Sequence, residues 1–96
     1  MYLVSYDISD NRLRSKIAKT LEGYGRRVQY SVFECRLSRK QYEAMYRKLL
    51  ELMDREEEGS IRIYCLCTSC DQRTHVIGCD LLDPRVSPEE EDLFIV

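Results

Sequence analysis

The chain opens Met1-Tyr2-Leu3-Val4-Ser5-Tyr6-Asp7-Ile8-Ser9-Asp10. The first half of that run is rich in β-branched and aromatic side chains, the composition of a buried or half-buried strand, and the remaining elements have to pack around it. The strand ends in a carboxylate followed by residues that open a helix, so Asp7 is presented at a strand's C-terminal tip. Chemistry is often placed there, because a sheet fixes the backbone while the tip faces solvent. An acid at a strand end is equally an ordinary way to leave a sheet, so Asp7 alone assigns no function.

Downstream, Asp10 or Ser9 can cap a helix whose apolar residues Leu13, Ile17, Ala18 and Leu21 recur on one face. Gly23-Tyr24-Gly25 ends it, since glycine tolerates the left-handed conformation of a helix exit. Arg14 lies one turn in, close enough to Asp7 to share a site with it. Residues 26–37 read as extended chain, either one long bent strand or two short ones joined by a kink near Tyr30-Ser31. Ser38 and Gln41 form a capping box, and the helix they open carries Tyr42, Met45, Tyr46, Leu49, Leu52 and Met53 on a core stripe. A charged loop, residues 54–60, follows. Residues 61–67 alternate as a strand with Ile61, Ile63, Cys65 and Cys67 on one face, and 75–79 read as another. The chain closes on Leu93-Phe94-Ile95-Val96, which a terminal strand added to a sheet edge, in the same chain or a partner, would cover. Two helices against one face of a mainly antiparallel sheet make an α+β sandwich of ferredoxin-like type.

Ninety-six residues suit a single domain, 1–96, with one modest core, in which 79–96 form a C-terminal extension. No apolar run approaches a membrane span, and no export signal is evident at the N-terminus, which points to a cytoplasmic protein. The formal charge of -2 conceals a division along the chain. Between Asn11 and Lys48, 11 Lys and Arg face 3 Glu, giving +8; from Leu49 to Val96, 4 basic residues face 12 acidic ones, giving -8. That asymmetry fits a polyanion partner for the first half, or two helices with solvated basic faces.

The 5 cysteines lack the spacing of a disulfide framework and fit reduced thiols. Cys67-x-x-Cys70, with Cys65, His75 and Cys79 nearby, allows a metal knuckle, a redox pair or incidental thiols. One histidine without a nearby Ser-Asp pair argues against a hydrolase triad. What remains is a carboxylate with a basic surround. Phosphodiester hydrolysis needs an activated water and a polarised phosphoryl oxygen, and Mg²⁺ held by carboxylates supplies both. One Asp is a poor magnesium site; the Asp7 residues of two subunits facing each other across a two-fold axis would suffice.

Tyr6-Asp7-Ile8-Ser9-Asp10, the following Leu13-Arg14, Arg27-Val28-Gln29-Tyr30-Ser31-Val32-Phe33-Glu34, and Ile61-Arg62-Ile63-Tyr64 with Val76-Ile77-Gly78 closely resemble the second CRISPR-associated protein family. The resemblance implies a ferredoxin-like homodimer whose terminal strand crosses to the partner subunit. It implies that Asp7 is the metal-binding aspartate and that Tyr6 belongs to the same catalytic site. It places nucleic-acid contacts at Arg14, Lys16, Arg27, Ser31 and Phe33, with lysine at 16 keeping charge but losing bidentate phosphate contact. The implied activity is Mg²⁺-dependent endonuclease cleavage of single-stranded RNA or of DNA. A second implied role is a non-catalytic DNA-binding scaffold between copies of the CRISPR integrase during spacer acquisition, which needs the dimer and the cations but not Asp7. A regulatory ferredoxin-like module without nucleic acid would need neither.

Overall fold

The opening strand, β1 (Tyr2–Asp7), becomes the inner member of a sheet because its Val4 and Tyr6 are buried while Asp7 stays exposed. The computed structural model describes residues 1–54 and 58–78. These fall into two units, Met1–Leu66 and the segment beginning at Cys67. The first unit runs β1, α1 (Asn11–Glu22), β2 (Arg26–Gln29), β3 (Val32–Cys35), α2 (Arg39–Met53) and β4 (Ser60–Cys65). Its sheet has the order β2-β3-β1-β4 with every neighbouring pair antiparallel. This is the α+β, ferredoxin-like arrangement expected from the sequence.

Local chemistry sets each helix. The Asp10 carboxylate caps α1 by accepting from the Arg12 and Leu13 amides at 2.9 and 3.2 Å, so Asp10 rather than Ser9 takes that role. Ser38 caps α2 in a complete capping box, its hydroxyl accepting from Gln41 N–H while the Ser38 amide donates to Gln41 Oε1. Leu13, Ile17, Ala18 and Leu21 of α1 and Met45 and Leu49 of α2 meet Val4, Tyr6, Ile8, Phe33 and Cys35 in one core. Tyr42 of α2 stacks on Tyr2 at 4.2 Å, extending that packing to the start of β1.

Two details differ from the sequence reading, and one decides a choice it left open. Gly23 leaves α1 with φ −77°, in the right-handed region, so no left-handed exit is used. The glycine that matters is Gly25, where an added Cβ would lie 2.6 Å from Cys35 Sγ. The chain from 26 to 37 forms two strands, offset by a bulge between Arg27 and Gln29 and joined through Tyr30-Ser31. Finally, residues 75–78 are not strand, and Cys67 does not continue β4. Leu66 closes the sheet by exchanging two hydrogen bonds with Met1, after which Cys67 caps a short helix, α3 (Thr68–Gln72). Cys79 and the terminal segment 93–96 lie outside the described residues.

Candidate functional site

Alternation along β1 sends Tyr6 and Asp7 to opposite faces of the sheet. Tyr6, 3% exposed, points toward the helices; Asp7, exposed, shares the other face with its β4 neighbour Ser60, and with Ser5 and Leu3. Two separate features follow from that split.

On the helix side, Tyr6, Arg14, Ser15, Ala18, Lys19, Glu22, Arg27 and Tyr30 line a recess of about 460 Å³. Three cations face the single carboxylate of Glu22, so the recess favours an anion. Arg27 reaches it from β2, donating to the Tyr6 hydroxyl at 3.3 Å while its guanidinium lies 5.3 Å from the Phe33 ring centroid. The Tyr6 hydroxyl in turn donates to the Tyr30 carbonyl at 3.4 Å. Arg14 reaches it from α1, with its guanidinium 5.9 Å from the centre of the Tyr30 ring. Tyr30 itself is 72% exposed, an aromatic surface beside two guanidinium groups. Stacking on such a ring together with cations beside it is how proteins hold single strands without reading their sequence.

On the other face, the Asp7 carboxylate is exposed, and among the described residues no hydrogen bond or ion pair engages it. Its backbone is nevertheless well held. Asp7 pairs with Ser60 of β4, and Gly59, at φ +100°, passes so close that an added Cβ would meet the Asp7 carbonyl oxygen at 3.0 Å. The Arg14 guanidinium donates to the carbonyl of Ile8, the next residue, at 3.0 Å, and also to Asn11 Oδ1. Arg14 is therefore a tie on the turn that follows Asp7 and not its ion-pair partner.

Arg14, Arg27 and Tyr6 thus meet in one place, while Asp7 stands apart from them. Lys16 is exposed on α1 but does not line the recess. Ser31 contributes its backbone carbonyl, which accepts the Tyr6 amide at 3.1 Å. Phe33 corrects the sequence reading: it is fully buried, so it supports Arg27 from below and cannot touch nucleic acid. Tyr30, Lys19 and Gly59 carry no assignment from sequence alone. Tyr30 is legible there only as a kink residue, and Gly59 only as part of a charged loop. Among the described residues no group of three or more His, Cys, Asp or Glu is placed to hold a metal; the knuckle reading of Cys65, Cys67, Cys70, His75 and Cys79 includes a residue that lies outside them. No helix among the described residues is long and apolar enough to cross a membrane.

The family model described as CRISPR associated protein Cas2 matches residues 1–74. A relative in Chloroflexus aurantiacus, CRISPR-associated endoribonuclease Cas2 1, is 47% identical over 95 residues, covering 99% of this chain and 98% of its own length. The Streptococcus pyogenes Cas2 crystal structure superposes with a TM-score of 0.69 at 32% identity, covering 80% of this chain and 98% of that one. A chain of a partial Cas6-RT-Cas1–Cas2 complex also superposes with a TM-score of 0.69 at 32% identity, over 79% of this chain and 82% of its own.

Proposed function

The chain belongs to the Cas2 family of CRISPR-associated proteins, and from that membership we propose that it is a Mg²⁺-dependent endonuclease of single-stranded RNA or of DNA, acting as a homodimer in spacer acquisition. The observation that supports this reading most directly is Asp7: an exposed carboxylate without a partner among the described residues, at the tip of a strand whose backbone is pinned on both sides. Hard oxygen donors of this kind suit Mg²⁺, which is commonly held by one or two carboxylates and keeps its remaining coordination for water and substrate phosphate. Asp7, with its counterpart from a second copy, would hold the ion; once bound, the ion would supply phosphoryl polarisation and a more acidic water. The chain's own residues do the rest. Gly59, Ser60 and Arg14 fix the Asp7 main chain, and Arg14, Lys19 and Arg27 attract the nucleic-acid backbone. Relatives that carry the endoribonuclease name favour cleavage.

A second reading is favoured by a specific feature. The cationic recess and Asp7 lie on opposite faces of the sheet, so the surface suited to phosphate does not require the carboxylate. In that reading the protein is a dimeric scaffold bridging copies of the CRISPR integrase subunit, and the match to a chain from a complex containing Cas1 favours it.

Wild type and Asp7→Asn, incubated with labelled RNA and DNA in Mg²⁺ or EDTA, separate the two. The expected outcome is cleavage in Mg²⁺ that EDTA and Asp7→Asn reduce to the same background, with nucleic-acid retention unchanged by the substitution. No cleavage by either protein, with retention intact, would leave the scaffold reading in possession. Cleavage unaffected by Asp7→Asn would remove Asp7 from the site.

A further inference from the structure

Cys67 and Cys70 are both exposed, and they are arranged unlike incidental thiols. Cys67 occupies the position before α3, where its Sγ accepts from the Cys70 backbone N–H at 3.4 Å. That contact holds the Cys67 sulfur at the residue that carries the second thiol, one helical turn on. Arg73, one turn further on, brings its guanidinium within 4.0 Å of Cys70 Sγ. The Cys70 carbonyl accepts from the Thr74 hydroxyl at 3.1 Å, which fixes the backbone beneath it. The other described thiols lack such an arrangement: Cys35 is buried in the core, and Cys65 ends β4.

We propose that Cys67 and Cys70 form a reversible dithiol–disulfide pair that exchanges with small disulfides of the glutathione class, Cys67 attacking and Cys70 resolving. The assignment rests on a Cys67 sulfur held at the Cys70 backbone amide and a guanidinium beside the Cys70 sulfur, and not on the short helix as such. Hydrogen bonds from Cys70, backbone and thiol, lower the Cys67 thiol below its ordinary range, which raises its thiolate population at neutral pH. Cys70 is raised, first because its proton is held by Cys67. That order suits the chemistry. The Cys67 thiolate attacks one sulfur of the small disulfide, forming a mixed disulfide and expelling one thiolate. Capping Cys67 removes the acceptor that held the Cys70 proton and leaves Arg73 to stabilise the Cys70 thiolate. Cys70 then attacks Cys67 Sγ, closing the intramolecular bond and expelling the second thiolate. Two protein thiols lose two electrons and two protons, and the small disulfide gains both as two thiols.

Closure would add a covalent link between Cys67, the first residue of the second unit, and Cys70. The test uses the full chain, equilibrated over a series of reduced-to-oxidised glutathione ratios, quenched with an alkylating reagent and digested with trypsin. Cleavage after Arg62 and Arg73 puts Cys65, Cys67 and Cys70 on one peptide, so the disulfide registers as a loss of two hydrogens within it. The expected result is a single two-electron transition that persists in Cys65→Ser and Cys79→Ser and vanishes in Cys67→Ser and Cys70→Ser. In Cys70→Ser, the mixed disulfide on Cys67 should accumulate instead. Under reducing conditions at neutral pH, Cys67 should alkylate about tenfold faster than Cys65. Equal alkylation rates, a bond that survives loss of Cys67 or Cys70, or no intramolecular bond at any ratio would each overturn the proposal.

Discussion

At the scale of single residues, burial decides what each side chain can do. Cys35 is fully buried in the core, and burial, reinforced by the neighbouring Glu34 carboxylate, pushes its thiol up to about 11 from an ordinary 9.0. Above pH 9.0 an unfolded chain surrenders that proton while the folded chain keeps it. The contribution to stability is therefore complete below pH 9.0 and is lost as pH rises through about 11. Urea denaturation across this window should show the midpoint falling less steeply in Cys35→Ala than in the wild type, although the variant starts lower by about 1 to 2 kcal/mol. An identical pH slope in both proteins would mean that the thiol does not titrate as described. The same logic separates Phe33 from Arg27. The family resemblance points to both in the sequence, but only packing reveals that one is buried beneath the other.

At the scale of elements, caps and apolar stripes are legible in the sequence, because both are local. Asp10, Ser38 and Gln41 are caps whatever lies across from them, and the stripe of α1 buries the residues its spacing indicates. Residues 67–78 mislead for the complementary reason. Cys67, Val76 and Ile77 have strand-like composition, but β4 ends where Leu66 pairs with Met1, 65 residues away in sequence, a constraint no local pattern carries. The glycines after α1 illustrate the same limit. Gly23 and Gly25 look alike in the sequence, yet an added Cβ at Gly23 comes no closer than 3.4 Å to Thr20 O, whereas at Gly25 it meets Cys35 Cα at 2.9 Å. Gly25→Ala should therefore force β2 away from β3 and cost about 1 to 3 kcal/mol, while Gly23→Ala should stay within about 0.5 kcal/mol of wild type. Equal effects in denaturant titrations would show that the β2–β3 approach is not what selects glycine.

At the scale of the whole molecule, the +8 of residues 11–48 against the -8 of residues 49–96 points a polyanion partner to the half of the chain that builds the cationic recess. Linear charge cannot tell which face would bind it. Folding gathers Arg14, Lys19 and Arg27 around Tyr30 on the helix side, and leaves the Asp7 carboxylate on the other. Arg14 and Arg27 also tie down Ile8 and Tyr6, so replacing them perturbs the fold as well as the charge. Lys19 lines the recess on an exposed position of α1, which makes it the cleaner probe. On duplex DNA, every phosphate that a protein ceases to neutralise reduces the steepness of log affinity against log salt by about 0.9. Lys19→Gln should flatten that dependence by about one phosphate, and Lys40→Gln, which removes the same charge at the start of α2, should leave it as in the wild type. Asp7→Asn should also leave it unchanged, because a carboxylate on the opposite face neither makes nor breaks a phosphate interaction in the recess. Equal flattening by Lys19→Gln and Lys40→Gln would mean that the DNA is held by diffuse charge and not by this recess, and a steepened dependence in Asp7→Asn would place the nucleic acid across the aspartate face.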